Sequence, residues 1–275
     1  MTSIAMTYRQ HLVPFIAHAA DQGLVTAVEV VPSGYLTRHA APLLQRRLAE
    51  LGLPYTFHFT HSSVASADFP TNHRCDATRE FLESFNPLLV SDHLTCARAG
   101  DLDLEMNLPI LATEPALEIY IENVRHFADR LESRVPLLLE QVPDYYAFKA
   151  STMSYGELYA RTIHATDVGV LLDLHNLYCD EQNGGERAED FIARLPPNKI
   201  LEVHVAGGHA LPEDGGYIDS HAHALPERVF ELLEHTLTLC TPRLIVLERE
   251  ARFRDLDALL RDLERLNHIA AAKRM

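Results

Sequence analysis

The 275-residue chain carries 39 acidic residues against 24 lysines and arginines, a formal charge of −15, which disfavours a nucleic-acid backbone as partner because such binding draws on clustered cations. With 47% hydrophobic and 23% charged residues there is material for a large core, and the length suits one barrel of eight β/α units, commonly near ~250 residues, so a single domain over 1–275 is expected. No apolar run approaches the ~18 residues of a membrane helix, no signal-peptide pattern opens the chain, and Cys75, Cys96, Cys179 and Cys240 form no CxxC pair, so reduced thiols and a cytoplasmic location are the expectation.

Apolar runs bounded by turn residues alternate with amphipathic stretches, the pattern of parallel β/α units rather than of a sandwich. In chain order, strands are predicted over 4–8, 27–31, 55–59, 88–91, 135–139, 168–172, 200–205 and 244–247. Helices are predicted over 38–51, 76–85, 114–132, 155–165, 188–195, 226–239 and 256–267, with an eighth open over 10–21. Thr113 can cap the helix from Glu114, and Pro115 suits its first turn. The count is that of an α/β fold of the TIM-type (β/α)8 class. Two segments break the alternation, 94–113 and 207–225, and long loops after strands build the active face of such barrels.

Metal-type ligands cluster where these runs end: His58, His93, Glu140, Asp173, His204, the pair Asp219 and His221, and Glu248. Strand ends of a parallel barrel converge on one mouth, and these eight exceed what one ion needs, which points to two or three metals. In Leu201-Glu202-Val203-His204 the alternation puts Glu202 and His204 on one face, the lumen if His204 is to reach a metal, and Gly207-Gly208 then permits close backbone approach. Asp219 and His221 stand two apart, on one side of an extended segment. The apolar runs ending in Glu140, Asp173 and Glu248 would each leave a costly carboxylate unless it meets a metal or an arginine. Mixed imidazole and carboxylate ligation fits zinc, iron or manganese rather than an oxygen cage for calcium or magnesium.

Two resemblances follow. The ligand order is similar to that of endonuclease-IV and xylose-isomerase-like barrels, whose trinuclear zinc members cleave phosphodiesters; there a further histidine falls three residues after the aspartate, where this chain has Asn176. A sugar isomerase would need the Lys and Trp pocket residues of that group, and the chain has no Trp. The segments Ser91-Asp92-His93-Leu94, Leu137-Leu138-Leu139-Glu140-Gln141, Ser151-Thr152-Met153-Ser154, Leu171-Leu172-Asp173-Leu174-His175-Asn176-Leu177-Tyr178 and His204-Val205-Ala206-Gly207 with Asp219-Ser220-His221 resemble instead the multinuclear non-heme iron-dependent oxidative enzymes of the MbnB and TglH type.

That second resemblance implies two or three irons in mixed Fe(II)/Fe(III) valence, O2 as co-substrate, and oxidation of a cysteine in a ribosomally made precursor peptide. It implies metal ligation by His58, His93, Glu140, Asp173, Asn176, His204, Asp219, His221 and Glu248, with Glu140 bridging. It also implies a small leader-binding partner protein of the TglI or MbnC kind. His175 stands where many members have Asn, and is open as a ligand, a supporting donor or a proton carrier. Gln141 replaces the Asn that usually follows the glutamate. The absence of the N-terminal strand motif of MbnB favours TglH-like excision of the β-carbon from a C-terminal cysteine over oxazolone and thioamide formation. Arg98 and Arg249, in loops after strands, could pair with a peptide carboxylate.

Overall fold

The computed structural model describes residues 2–37, 39–69, 74–100, 102–146, 148–212 and 215–273. Eight parallel strands close into a barrel: β1 (Ser3–Thr7), β2 (Ala27–Val30), β3 (Tyr55–His58), β4 (Val90–His93), β7 (Leu137–Glu140), β8 (Gly169–Asp173), β9 (Ile200–Val205) and β12 (Leu244–Leu247), with β12 pairing back onto β1. The helices α1 (Val13–Asp21), α2 (Ala41–Leu51), α3 (Arg74–Leu82), α4 (Glu114–Leu131), α5 (Tyr155–Ala165), α6 (Leu174–Gln182), α7 (Ala188–Ile192), α8 (Glu227–Leu239) and α9 (Leu256–Ala272) come between and after them. This is the TIM-type barrel that the alternation predicts. Arg38, the predicted start of α2, lies outside the described residues.

Two hydrophobic clusters divide the core. The larger joins the strands to the helices, through residues such as Phe57, Val90, Leu139, Leu172 and Ile245. The smaller one, Ala5, Ala27, Leu89, Leu138, Leu171, Leu244 and Val246, holds the opposite parity on the same strands and fills the lumen floor. Strand alternation then fixes what stands above the floor, two residues further along each strand. Glu29 follows Ala27, Glu140 follows Leu138, Asp173 follows Leu171, and Glu248 follows Val246. Register sharpens the convergence, because His93 pairs with Glu140 and Asp173 with His204 on neighbouring strands.

Strand β4 runs two residues later than predicted, which carries His93 inside the sheet. The long segment after it folds into an antiparallel hairpin, β5 (Cys96–Ala99) with β6 (Leu102–Leu108), and the segment after β9 into a shorter one, β10 (His209–Ala210) with β11 (Tyr217–Ile218). Thr113 caps α4 as expected, accepting from Ala116 N–H at 3.4 Å. Helix α6 was not foreseen. Its cap is Asp173 itself, which closes β8 and accepts from His175 N–H at 2.6 Å and Asn176 N–H at 2.9 Å.

Candidate metal centre

At the lumen mouth the strand ends deliver His58, His93, Glu140, Asp173, His204 and Glu248, all buried. Glu140 is central: its Oε2 lies 2.9 Å from His93 Nε2 and 3.3 Å from His58 Nε2, while Oε1 lies 3.7 Å from His204 Nδ1. The same His204 Nδ1 is 3.0 Å from Glu248 Oε2, which in turn is 3.5 Å from His221 Nδ1. His221 Nε2 approaches Asp219 Oδ1 at 2.6 Å. Among the described residues four groups of potential ligand atoms thus share members: His58, His93 and Glu140; Glu140, Asp173 and His204; Asp173, His221 and Glu248; and Glu29, His204 and Glu248.

The imidazoles are oriented from outside the cluster. His58 Nδ1 lies 2.9 Å from Ser91 Oγ, a contact that holds the ring with Nε2 facing Glu140. His204 Nε2 is held 2.8 Å from Glu29 Oε2, leaving Nδ1 toward Glu140 and Glu248. This carboxylate behind a histidine is the usual device for fixing a metal ligand's tautomer and raising its basicity. Glu29 escaped the sequence reading, although a carboxylate inside the apolar run Ala27-Val28-Glu29-Val30 was the available signal. Glu202, one lumen rung below His204, accepts from Thr56 Oγ1 at 3.3 Å. Burial and Glu29 push it up to about 8.

Crowding of carboxylates and imidazoles sets the protonation pattern. Burial works against the charged form of His93, but Glu140 and Asp92 overcome it and raise the imidazole to about 9. His58 goes the other way, lowered to about 3 by burial despite Glu140. Burial opposes ionisation of Glu140 and Glu248 too, yet the neighbouring histidines hold both below the usual carboxylate range. Asp173 moves well up, through burial and the adjacent Glu140 and Glu248. A cation placed among these groups would displace the protons they share.

Around the rim, α6 brings Asn176 and His175 to different partners. Asn176 Nδ2 donates to Gln141 O at 3.0 Å, and His175 Nδ1 lies 2.7 Å from Asp219 Oδ1. Gln141 clamps the β7 and β8 ends together, donating from Nε2 to Asp173 O at 2.6 Å. The segment carrying Asp219 and His221 is tied down by Ala222 and His223 N–H groups, both donating to Gly207 O, and by Glu250 N–H donating to His221 O at 2.8 Å. His221 itself adopts a left-handed conformation (φ 46°), an uncommon state for a non-glycine residue that recurs at ligand sites. A Cβ at Gly207 would run into the Ala224 and His223 carbonyls, and one at Gly208 into Ile218 O and the His175 ring. The glycine pair is therefore a steric requirement of this corner.

All nine residues predicted as ligands, and His175, are brought to this one mouth. Arg249 is not: its guanidinium is buried 3.7 Å from Asp262 of α9, on the helix side of the wall. Arg98 sits in the β5–β6 hairpin and donates to Gly100 O at 3.2 Å.

The donor set can be tested against a metal by its unmatched atoms. Glu140 Oε2, Asp173 Oδ2, Asn176 Oδ1, His204 Nδ1 and His221 Nε2 are buried with no aligned hydrogen-bond partner among the described residues. Three of these atoms still face a neighbour of the cluster at 2.6–3.0 Å, whereas Asp173 Oδ2 and Asn176 Oδ1 have no partner among the described residues, and leaving one buried polar atom unmatched costs ~1–3 kcal/mol, a cost that a cation would relieve. Nitrogen and oxygen donors of this kind suit borderline transition metals.

A model of the family described as RiPP precursor modification enzyme MbnB/TglH/ChrH matches residues 3–271. A UPF0276 protein of Streptomyces avermitilis is 31% identical over 243 residues, 86% of this chain and 49% of that protein, so the chain spans about half of that relative's length. A UPF0276 protein of Caulobacter vibrioides is 28% identical over 89% of this chain and 86% of its own. Among solved structures, a xylose isomerase domain containing protein from Salmonella typhimurium aligns at TM-score 0.65 and 13% identity, over all of this chain and 98% of the other, a likeness of fold.

Proposed function

The chain belongs to the family of RiPP precursor modification enzymes MbnB, TglH and ChrH, and from that premise we propose that it holds two or three iron ions at the lumen mouth and uses O2 to oxidise a cysteine of a precursor peptide. The observation that carries the reading is the convergence of buried imidazoles and carboxylates into groups that share Glu140, Asp173, His204 and Glu248, with Asp173 Oδ2 and Asn176 Oδ1 left without a partner among the described residues. The proposed ligands are His58, His93, Glu140, Asp173, Asn176, His204, Asp219, His221 and Glu248; Glu140, whose two oxygens face different imidazoles, would be the bridging one.

Iron in mixed valence, held by these residues, would supply O2 activation and a position for the substrate thiolate. The protein's own part is orientation and exclusion of water. Glu29 and Ser91 hold the His204 and His58 rings. Asp173 divides its oxygens, one capping α6 and one free toward the cluster. His175 fixes Asp219 through its Nδ1 contact.

Within the family's reactions we favour TglH-like excision of the β-carbon from a C-terminal cysteine. Strand β1 contributes no titratable side chain to the lumen, its buried residues there being Ala5 and Thr7. Oxazolone and thioamide formation of the MbnB kind is the alternative. A small leader-binding protein of the TglI or MbnC kind is the proposed partner. No helix among the described residues is long and apolar enough to cross a membrane.

The test is metal analysis with Mössbauer and EPR spectroscopy on protein produced with added iron, followed by O2 uptake with a cysteine-terminated peptide. Two or more irons per chain in mixed valence, with peptide-dependent uptake, are expected. Zinc alone with phosphodiester cleavage would overturn the reading in favour of the nuclease-like barrel; bound metal without O2 uptake would leave a peptide-binding scaffold.

A further inference from the structure

Helix α6 carries a feature that the proposed ligand set does not use. His175 and Cys179 stand one turn apart on the same helix face, and both are fully buried. Cys179 Sγ lies 3.9 Å from His175 Nε2 and 4.0 Å from Nδ1, and the His175 Nδ1 atom is 2.7 Å from Asp219 Oδ1. One ligand atom from each of the three residues falls within 4.8 Å of the others.

The surroundings are polar rather than those of a thiol packed as a small hydrophobe. Tyr145 Oη accepts from Asp219 N–H at 2.8 Å, which leaves its own proton to donate. The His175 ring occupies space that only Gly208 leaves open. A role for the thiol as an exposed nucleophile is excluded by its complete burial, whereas a thiol beside imidazole and carboxylate donors is a combination that zinc and iron accept.

We propose that His175, Cys179 and Asp219 form a sulfur-bearing metal position at the edge of the cluster, taking a borderline-soft divalent ion, zinc or ferrous iron. The proposal rests on the metal-cluster reading, because Asp219 Oδ1 also lies 2.6 Å from His221 Nε2 and would be shared with it. Binding forms the metal–sulfur bond and releases the Cys179 proton to solvent; histidine binds neutral, and no electron is transferred. Thiolate ligation selects zinc and iron over magnesium or manganese.

Metal-free protein titrated with cobalt(II) reads the position directly, through the near-ultraviolet charge-transfer band that only thiolate–cobalt bonds give. Wild type is expected to develop the band, and Cys179→Ser to lose it together with one bound cobalt. If wild type binds cobalt without the band, or the variant keeps both band and stoichiometry, the sulfur position is wrong while the cluster stands. If wild type binds no metal, both fall. The wild-type spectrum decides even where the variant does not fold.

Discussion

Glu29 Oε2 lies 2.8 Å from His204 Nε2, deep in the lumen, where both side chains are fully buried. Burial alone would keep Glu29 protonated and raises it; the proximity of His204 works against this. The pair ties β2 to β9 across the barrel and points His204 Nδ1 upward to Glu140 and Glu248. Replacing Glu29 with Gln keeps the shape but allows the amide to donate to Nε2, favouring the opposite tautomer. Metal affinity is expected to fall roughly 10–100-fold with far-UV circular dichroism unchanged. Competition titration with a chelator measures it, and an unaltered affinity would remove Glu29 from the support of His204.

The contrast between Glu29 and Asp173 explains what could be read from the sequence. Asp173 is visible because a wholly apolar run ends on it, and the same rule located Glu140 and Glu248. Glu29 sits inside its strand, so nothing punctuates it, and its partner is 175 positions away in sequence. The barrel was legible because eight runs keep a strict order with helices between them. Helix α6 was hidden because its cap is also the last residue of a strand, and its polar first turn reads as loop. The two hairpins depend on contacts that periodicity over a few residues does not encode.

Asn176 is the point where this chain departs from trinuclear zinc nucleases, and its side chain has two jobs that a substitution separates. Nδ2 anchors it to Gln141 O, while Oδ1 is buried without a partner among the described residues. Asn176→Ala is expected to lower bound metal by a substantial fraction of one ion per chain, at a stability cost of about 1 kcal/mol from the lost hydrogen bond. Elemental analysis beside a thermal melt distinguishes the two effects. Unchanged iron content would strike Asn176 from the ligands.

Protons and metal compete for the cluster, which gives metal-free protein a defined pH profile. A histidine raised to about 9, as His93 is, binds its proton more tightly folded than unfolded. Its contribution, on the order of 3 kcal/mol, is complete below the unfolded value near 6.5 and is lost as pH rises through about 9. His204 and His221 are also raised and act in the same direction, burial being overcome in each by the neighbouring carboxylates. His58, lowered to about 3 by burial, acts below this window: unfolded chain takes its proton first, so stability declines as pH falls from about 6.5 toward 3. The metal-free melting temperature is therefore expected to be lower at pH 9 than at pH 6.5. Metal-loaded protein should gain relative to it over the same interval, because ligands then need no deprotonation. Equal melting of the metal-free form at both pH values would contradict the assigned proton sharing.

Arg249 and Asp262 make the opposite kind of pair, one whose removal in halves and in whole should differ in sign. The arginine is 1% exposed, its Nε and Nη2 have no aligned hydrogen-bond partner among the described residues, and the nearest charge is Asp262 Oδ2 at 3.7 Å. Asp262 in turn accepts from Leu225 N–H at 3.2 Å, and burial raises it to about 6 in spite of the arginine. Asp262→Asn keeps an acceptor for Leu225 but strands the guanidinium, and a loss of ~3 kcal/mol is expected. Arg249→Met combined with Asp262→Asn removes both charges while keeping an acceptor for Leu225, and should be neutral or stabilising by ~1 kcal/mol relative to wild type. Urea denaturation of the two variants checks the contrast at constant metal content. Should the double variant destabilise by as much as Asp262→Asn alone, the guanidinium has a favourable role that its distance from Asp262 does not account for.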